Sequence, residues 1–150
     1  MNTAQVYDVV CIGNYTKDTI ITPAGTTHVD GGAVNYAAQA LALHEAGAIV
    51  ATYPVSTGVT SDPKYATPPD LYRVQSQDKG PLESAPGVFV SDIVMFDLGR
   101  GNGIHSLPVD ASGSILDPTL GKPVTAGCVR VAESARVFEF AQIGMRIWIH

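Results

Sequence analysis

The sequence predicts a mainly β fold, a β-rich α+β architecture with one or two short helices. Three observations predict it. The 15 glycines and 10 prolines among 150 residues imply many turns. The apolar runs are short, rich in β-branched residues and closed by turn residues. A clear amphipathic helical pattern occurs in one place, residues 133–141. The length suits a single domain, and 45% hydrophobic residues are enough for a real core. Charged residues are 15% of the chain and the formal net charge is −5, with no Lys/Arg cluster. That balance excludes a disordered tail and argues against nucleic acid as a partner.

In chain order, residues 7–12 read as a buried strand closed by Gly13-Asn14. Residues 19–22 form a second short strand, ended by Pro23 and Gly25, and Asp30-Gly31-Gly32 is a turn signal. Residues 33–46 fit two patterns. By propensity they are a helix, Ala-rich with a stop at Gly47. By alternation of Gln39, Leu41 and Leu43 they contain a strand, with Glu45-Ala46-Gly47 turning into a second strand at 48–55. Residues 56–69 and 75–87 are polar loops around a strand at 71–74, and 88–96 is one core strand. Gly99-Arg100-Gly101-Asn102-Gly103 is a tight turn and not a phosphate loop, since no lysine follows. Residues 107–120 are loop. In the helix at 133–141, Val131, Ala135 and Phe138 share a face, and Gly144 ends it. The last strand, 145–150, sets Ile147 and Ile149 on one face and Trp148 on the other.

The stretch 121–130 puts Cys128 behind Gly127, at the start of the helical region, and His105-Ser106 lies upstream. A thiol, an imidazole and a glycine-flanked backbone are the parts of a cysteine acyl-transfer site. At an ordinary thiol pKa only a few per cent is thiolate at neutral pH, so Cys128 needs a base or a positive field. His105 titrates near neutrality and suits the part, and a helix dipole would help. The N–H groups of Gly127 and Cys128 are candidate oxyanion donors, and Arg130 suits a substrate carboxylate or carbonyl. Two cysteines, Cys11 and Cys128, are too few for a disulfide framework and are expected unpaired. His28, His44 and His150 lack partners at ligand spacing, so neither metal nor cofactor is expected.

Two families are resembled. Asp8-Val9-Val10-Cys11-Ile12-Gly13-Asn14, Asp18, Gly31-Gly32-Ala33 and Asn35 resemble the opening of ribokinase-like sugar kinases, where such residues hold sugar hydroxyls. The rest of a kinase is missing, including the Gly-Ala-Gly-Asp anion hole, and the length is about half of what such an enzyme needs. Asp18 and Asn35 are therefore read as turn and capping residues.

From about residue 38 onward the chain resembles the L,D-transpeptidase catalytic domain of bacterial cell walls. The matching pieces, in order, are Gln39-Ala40-Leu41-Ala42-Leu43 with Glu45-Ala46-Gly47, Tyr53-Pro54-Val55-Ser56-Thr57-Gly58, Thr67-Pro68-Pro69 before Leu71-Tyr72-Arg73-Val74, Ile104-His105-Ser106, residues 121–130, and the closing strand. This divides the chain into a kinase-like segment at 1–36 and a catalytic domain at 37–150, folded as a mixed sheet or sandwich.

The resemblance implies Cys128 as nucleophile, His105 as base and Ser106 as the residue whose backbone carbonyl orients the imidazole. It implies Gly127, Thr125 and Arg130 as oxyanion or substrate-binding residues, and residues 75–87 as a lid. It further implies peptidoglycan stem peptides as substrate, 3→3 crosslinks or carboxypeptidase products, carbapenem β-lactams as acylating inhibitors, and a place in the cell envelope. Yet residues 1–10 lack a signal-peptide pattern and no apolar run is long enough for a membrane span.

Two positions depart from the family pattern. Ala126 replaces a histidine that lines the site, and Asp70 stands where a glycine of positive φ is expected. The alternatives to an active enzyme are an inert wall-binding or structural domain of the same fold, or a sugar-kinase fragment.

Overall fold

The computed structural model describes residues 8–14, 18–22, 25–29 and 39–150. Strands dominate them: β1 (Val9–Asn14), β2 (Asp18–Thr22), β3 (Gly25–Val29), β4 (Gln39–Glu45), β5 (Ala48–Ser56), β6 (Asp70–Arg73), β7 (Ser76–Asp78), β8 (Leu82–Ala85), β9 (Val88–Val90), β10 (Ile93–Asp97), β11 (Asn102–His105), β12 (Val129–Val131) and β13 (Arg146–Ile149). The helix α1 spans Ser134–Phe140. Nine strands form one mixed sheet in the order β6-β13-β1-β4-β5-β12-β11-β10-β7, while β2–β3 and β8–β9 are separate hairpins. Within the large sheet β1–β13 and β11–β12 are parallel pairs. Strand β1 is hydrogen-bonded between β4 and β13, so the opening segment and the remainder share one sheet.

The expected β-rich class is borne out, and burial explains it. Gln39, Leu41 and Leu43 are buried on β4 while the residues between them are half-buried, a period-2 pattern that only an extended chain can satisfy. This overturns the helical reading of 33–46 over Gln39–Glu45. The hairpin to β5 turns through Ala46 (φ 49°) and Gly47 (φ 81°), the doubly left-handed turn whose twist matches the strands. Asp18 lies in β2 opposite Val29. Gly31, Gly32, Ala33 and Asn35 lie outside the described residues.

The core gathers Val10, Ile12, Leu41, Val55, Val74, Val94, Phe96, Ile104, Val129, Val131, Val137 and Ile147, all sealed from solvent. Each such side chain contributes about 1.5–3 kcal/mol of burial. Tyr72 of β6 packs on Phe96 of β10 with ring centroids 5.1 Å apart. Those strands lie near opposite ends of the sheet order, so the sheet curls around this core.

Several expected boundaries shift. The stretch 88–96 is two strands, broken at Ser91-Asp92. Asp92 adopts φ 55°, and its carboxylate accepts a hydrogen bond from Ser134 Oγ at 2.7 Å and pairs with Lys79 Nζ at 2.5 Å. The stretch 75–87 is not loop, because it contains β7 and β8. Helix α1 closes at Ala141, whose N–H bonds Val137 O, and not at Gly144. Its inner face is Ser134, Val137 and Ala141, at helical spacing, rather than Val131, Ala135 and Phe138. Asp70 shows no positive φ and opens β6, its carboxylate accepting the Leu71 N–H at 2.7 Å. The closing strand agrees with expectation: Ile147 and Ile149 are buried and Trp148 is half-exposed.

Candidate functional site

The sheet register sets the candidate residues on neighbouring strands. Ile104 pairs with Val129 and His105 with Arg130 across the parallel β11–β12 pair. Ile104 and Val129 enter the core, so alternation turns His105, Arg130 and the preceding Gly103 and Cys128 toward the opposite face. The row continues sideways through Arg130↔Ser56 on β5 and Met95↔Gly103 on β10. Cys128 thus stands at the entrance of a strand. The helix-dipole support expected for it is absent, because β12 separates it from α1. The β-branched pair Val129 and Val131 favours the extended chain and buries both side chains.

Cys128 Sγ donates to Gly101 O at 3.6 Å. Burial pushes the thiol above its ordinary pKa, and the Gly103 N–H pulls the other way. His105 Nδ1 lies 2.7 Å from Ser106 O, so the ring is held by the backbone carbonyl. Burial pushes the imidazole below its ordinary pKa. The Ser106 contact opposes that shift and the Arg130 charge adds to it. Both shifts favour the neutral form, of the thiol and of the imidazole. The Ser106 hydroxyl points elsewhere: it donates to Leu107 O at 3.0 Å and accepts the Ser91 N–H at 2.9 Å, while Ser106 N–H bonds Ser91 O. Strand β9 is tied on by paired bonds between Phe89 and Val109, which draws the β8–β9 hairpin alongside the loop after His105.

The turn before Cys128 is anchored on every side. Thr125 N–H bonds Thr57 O and Val59 N–H bonds Thr125 O, both at 3.0 Å. Thr125 Oγ1 donates to Cys128 O at 2.5 Å and accepts the Gly127 N–H at 3.3 Å. Thr67 Oγ1 donates to Gly127 O at 2.8 Å. Gly127 has φ 116°, and a Cβ there would lie 2.5 Å from Asn102 Oδ1, so both conformation and space demand glycine. Arg130 is buried. Its Nη1 pairs with Asp117 Oδ2 at 2.6 Å and reaches Thr119 O at 3.4 Å, and among the described residues its Nε has no hydrogen-bond partner. Hydrogen bonds from Thr119 and the Arg130 charge hold the Asp117 carboxyl far below the usual range.

Asn102, Thr67 and Asp117 carry no role in the sequence reading. Thr67 stood in the Thr67-Pro68-Pro69 turn, and that turn signal is the hint that could have found it. Nothing local marks Asn102 or Asp117, whose partners are set by folding. Among the described residues no group of three or more His, Cys, Asp or Glu could hold a metal ion, and no helix is long and apolar enough to cross a membrane.

Residues 29–149 match the family model of the L,D-transpeptidase catalytic domain (YkuD). No curated protein sequence matches the chain. Among solved structures, an L,D-transpeptidase from Stackebrandtia nassauensis is 17% identical with a TM-score of 0.61, covering 100% of this chain and 58% of its own. One from Xylanimonas cellulosilytica is 19% identical with a TM-score of 0.60, covering 99% of this chain and 62% of its own. A third, solved in complex with imipenem, is 14% identical with a TM-score of 0.58, covering 97% and 59%. At these identities the likeness is one of fold. The chain spans about three fifths of the length of each.

Proposed function

This chain belongs to the L,D-transpeptidase catalytic-domain family, and from that premise we propose that it is a cysteine acyltransferase of the bacterial cell envelope forming 3→3 peptidoglycan crosslinks. The catalytic unit is residues 37–150, with β1 completing its sheet. The observation that carries the reading is the His105–Ser106 carbonyl bond of 2.7 Å on a strand whose register sets His105 beside β12, the strand that Cys128 opens.

In the first step Cys128 Sγ attacks the carbonyl of the L-to-D peptide bond in a stem tetrapeptide. His105, neutral at rest, takes the thiol proton and passes it to the leaving amine of D-alanine, leaving a thioester. A neutral pair suits this sequence, because the proton moves as the bond forms and no resting ion pair has to be desolvated. The Cys128 N–H, with the weakly engaged Gly127 N–H, stabilises the oxyanion. Arg130 is buried and ion-paired with Asp117, so it serves the site by fastening the loop after His105 rather than by meeting substrate. In the second step the side-chain amine of a second stem attacks the thioester, its proton returns through His105 to sulfur, and the crosslink forms. Water in place of the amine gives an L,D-carboxypeptidase. The β8–β9 hairpin serves as lid, and carbapenems acylate the same thiol.

The test is incubation with a purified stem tetrapeptide and mass analysis of products. The wild-type chain is expected to release D-alanine and form a dimer, or a tripeptide if water wins, while Cys128→Ala forms neither. A second reading, an inert wall-binding domain of the same fold, is favoured by the raised thiol pKa and by Ala126. It predicts a folded wild-type chain that leaves the peptide intact.

A further inference from the structure

We infer that Thr67 is a positioning residue that aims the oxyanion donor. The inference deepens the proposed acyl transfer and rests on it. The Thr67 hydroxyl accepts the Gly58 N–H at 2.8 Å and donates to Gly127 O at 2.8 Å, so its single proton is committed to that carbonyl. Gly127 O and the Cys128 N–H belong to one planar peptide unit and point to opposite sides of it. Pinning the carbonyl to Thr67 therefore fixes the direction of the Cys128 N–H, the donor assigned to the tetrahedral intermediate.

The arrangement is built and not incidental. A Cβ on Gly58 would fall 1.9 Å from Tyr65 O and 2.8 Å from Thr67 N, so glycine lets residues 65–67 fold against residue 58 and bring the hydroxyl over the cysteine turn. The other end of that turn is held to the same segment, through a parallel bridge between Gly58 and Thr125. Thr57 beside it is locked by Gln39, whose Oε1 accepts the Thr57 N–H at 2.7 Å and whose Nε2 donates to Thr57 Oγ1 at 2.5 Å. Gln39, Thr57, Gly58 and Thr67 are thus a strut from β4 to the peptide that carries the thiol. Tilting a donor away from a developing oxyanion forfeits much of a contribution worth about 10²–10³ in rate when one donor is removed.

The experiment compares wild type, Thr67→Val, which keeps the shape and loses the hydroxyl, and Thr67→Ser, which keeps it. Two rate constants are measured at Cys128 by intact mass. Acylation by imipenem passes through an oxyanion, and alkylation by iodoacetamide does not. In acylation the thiol sulfur bonds the β-lactam carbonyl carbon, the ring C–N bond opens, and the thiol proton ends on that nitrogen. The expected result for Thr67→Val is acylation about 10-fold slower or more with alkylation unchanged, and for Thr67→Ser both rates close to wild type. Thr67→Ala takes the place of the valine variant if the latter fails to fold. Equal acylation in wild type and Thr67→Val, or a parallel fall of both rates, overturns the inference alone. A folded wild-type chain that imipenem leaves unmodified overturns the acyl-transfer reading and this inference with it.

Discussion

At Cys128 and His105 the surroundings work against charge. Burial raises the thiol and lowers the imidazole, the reverse of what a resting thiolate–imidazolium pair requires. The consequence for pH dependence has a definite sign. Because His105 loses its proton below the ordinary imidazole value of 6.5, the base stays available as pH falls through 6.5, and acyl transfer declines only when pH passes through the lowered value. Because the thiol ionises above its ordinary value of 9.0, alkylation of Cys128 by iodoacetamide keeps rising past that pH. A titration of alkylation rate against pH checks this. A midpoint at or below pH 7 would mean an ion pair and would contradict the mechanism. The residue types at this scale were legible from the chain, since only a thiol and an imidazole offer this chemistry. The residues that hold them were not: Thr67 lies 60 positions from Gly127 and Asp117 lies 13 from Arg130, and no local pattern announces either contact.

Strands were easier to read than their ends. The β4–β5 hairpin was one of two open readings, and one-sided burial of Leu41 and Leu43 decides it. Its turn is built with Ala46 at φ 49°, a conformation that a Cβ penalises. Ala46→Asn, a residue that tolerates this region, is expected to stabilise the protein by about 0.5–1 kcal/mol. Urea unfolding reads this as a higher midpoint with an unchanged slope, and a lower midpoint would contradict the turn assignment. The helix was placed correctly to within a residue at its start, but its inner face was not. Expectation began the apolar stripe at Val131, and Val131 belongs to β12. Counting from Ser134 instead gives Val137 and Ala141, the residues that are buried. The split of 88–96 was hidden because Asp92 takes a left-handed conformation that an apolar run does not advertise, and it does so to satisfy Ser134 and Lys79.

For the molecule as a whole, a β-rich mixed sheet or sandwich with one or two short helices was legible as a class from turns, short apolar runs and the order of pieces. Strand order was not, because pairing β1 with β13 joins residues more than a hundred positions apart. That long-range pairing also explains why the site is assembled as it is. The core face of β10, β11, β12 and β5 fixes the register, and the register delivers His105, Arg130 and the approach to Cys128 onto the other face. The loop after His105 is then fastened over that face by Arg130 with Asp117 and by Ser56 Oγ with Thr119 O at 3.1 Å. Catalysis in this account depends on a live thiol at the entrance of β12. Intact mass of the full chain after incubation with imipenem tests it most directly. The account predicts one adduct of imipenem mass on the wild-type chain and none on Cys128→Ala. A folded wild-type chain with no adduct, or an adduct that persists in Cys128→Ala, would contradict it.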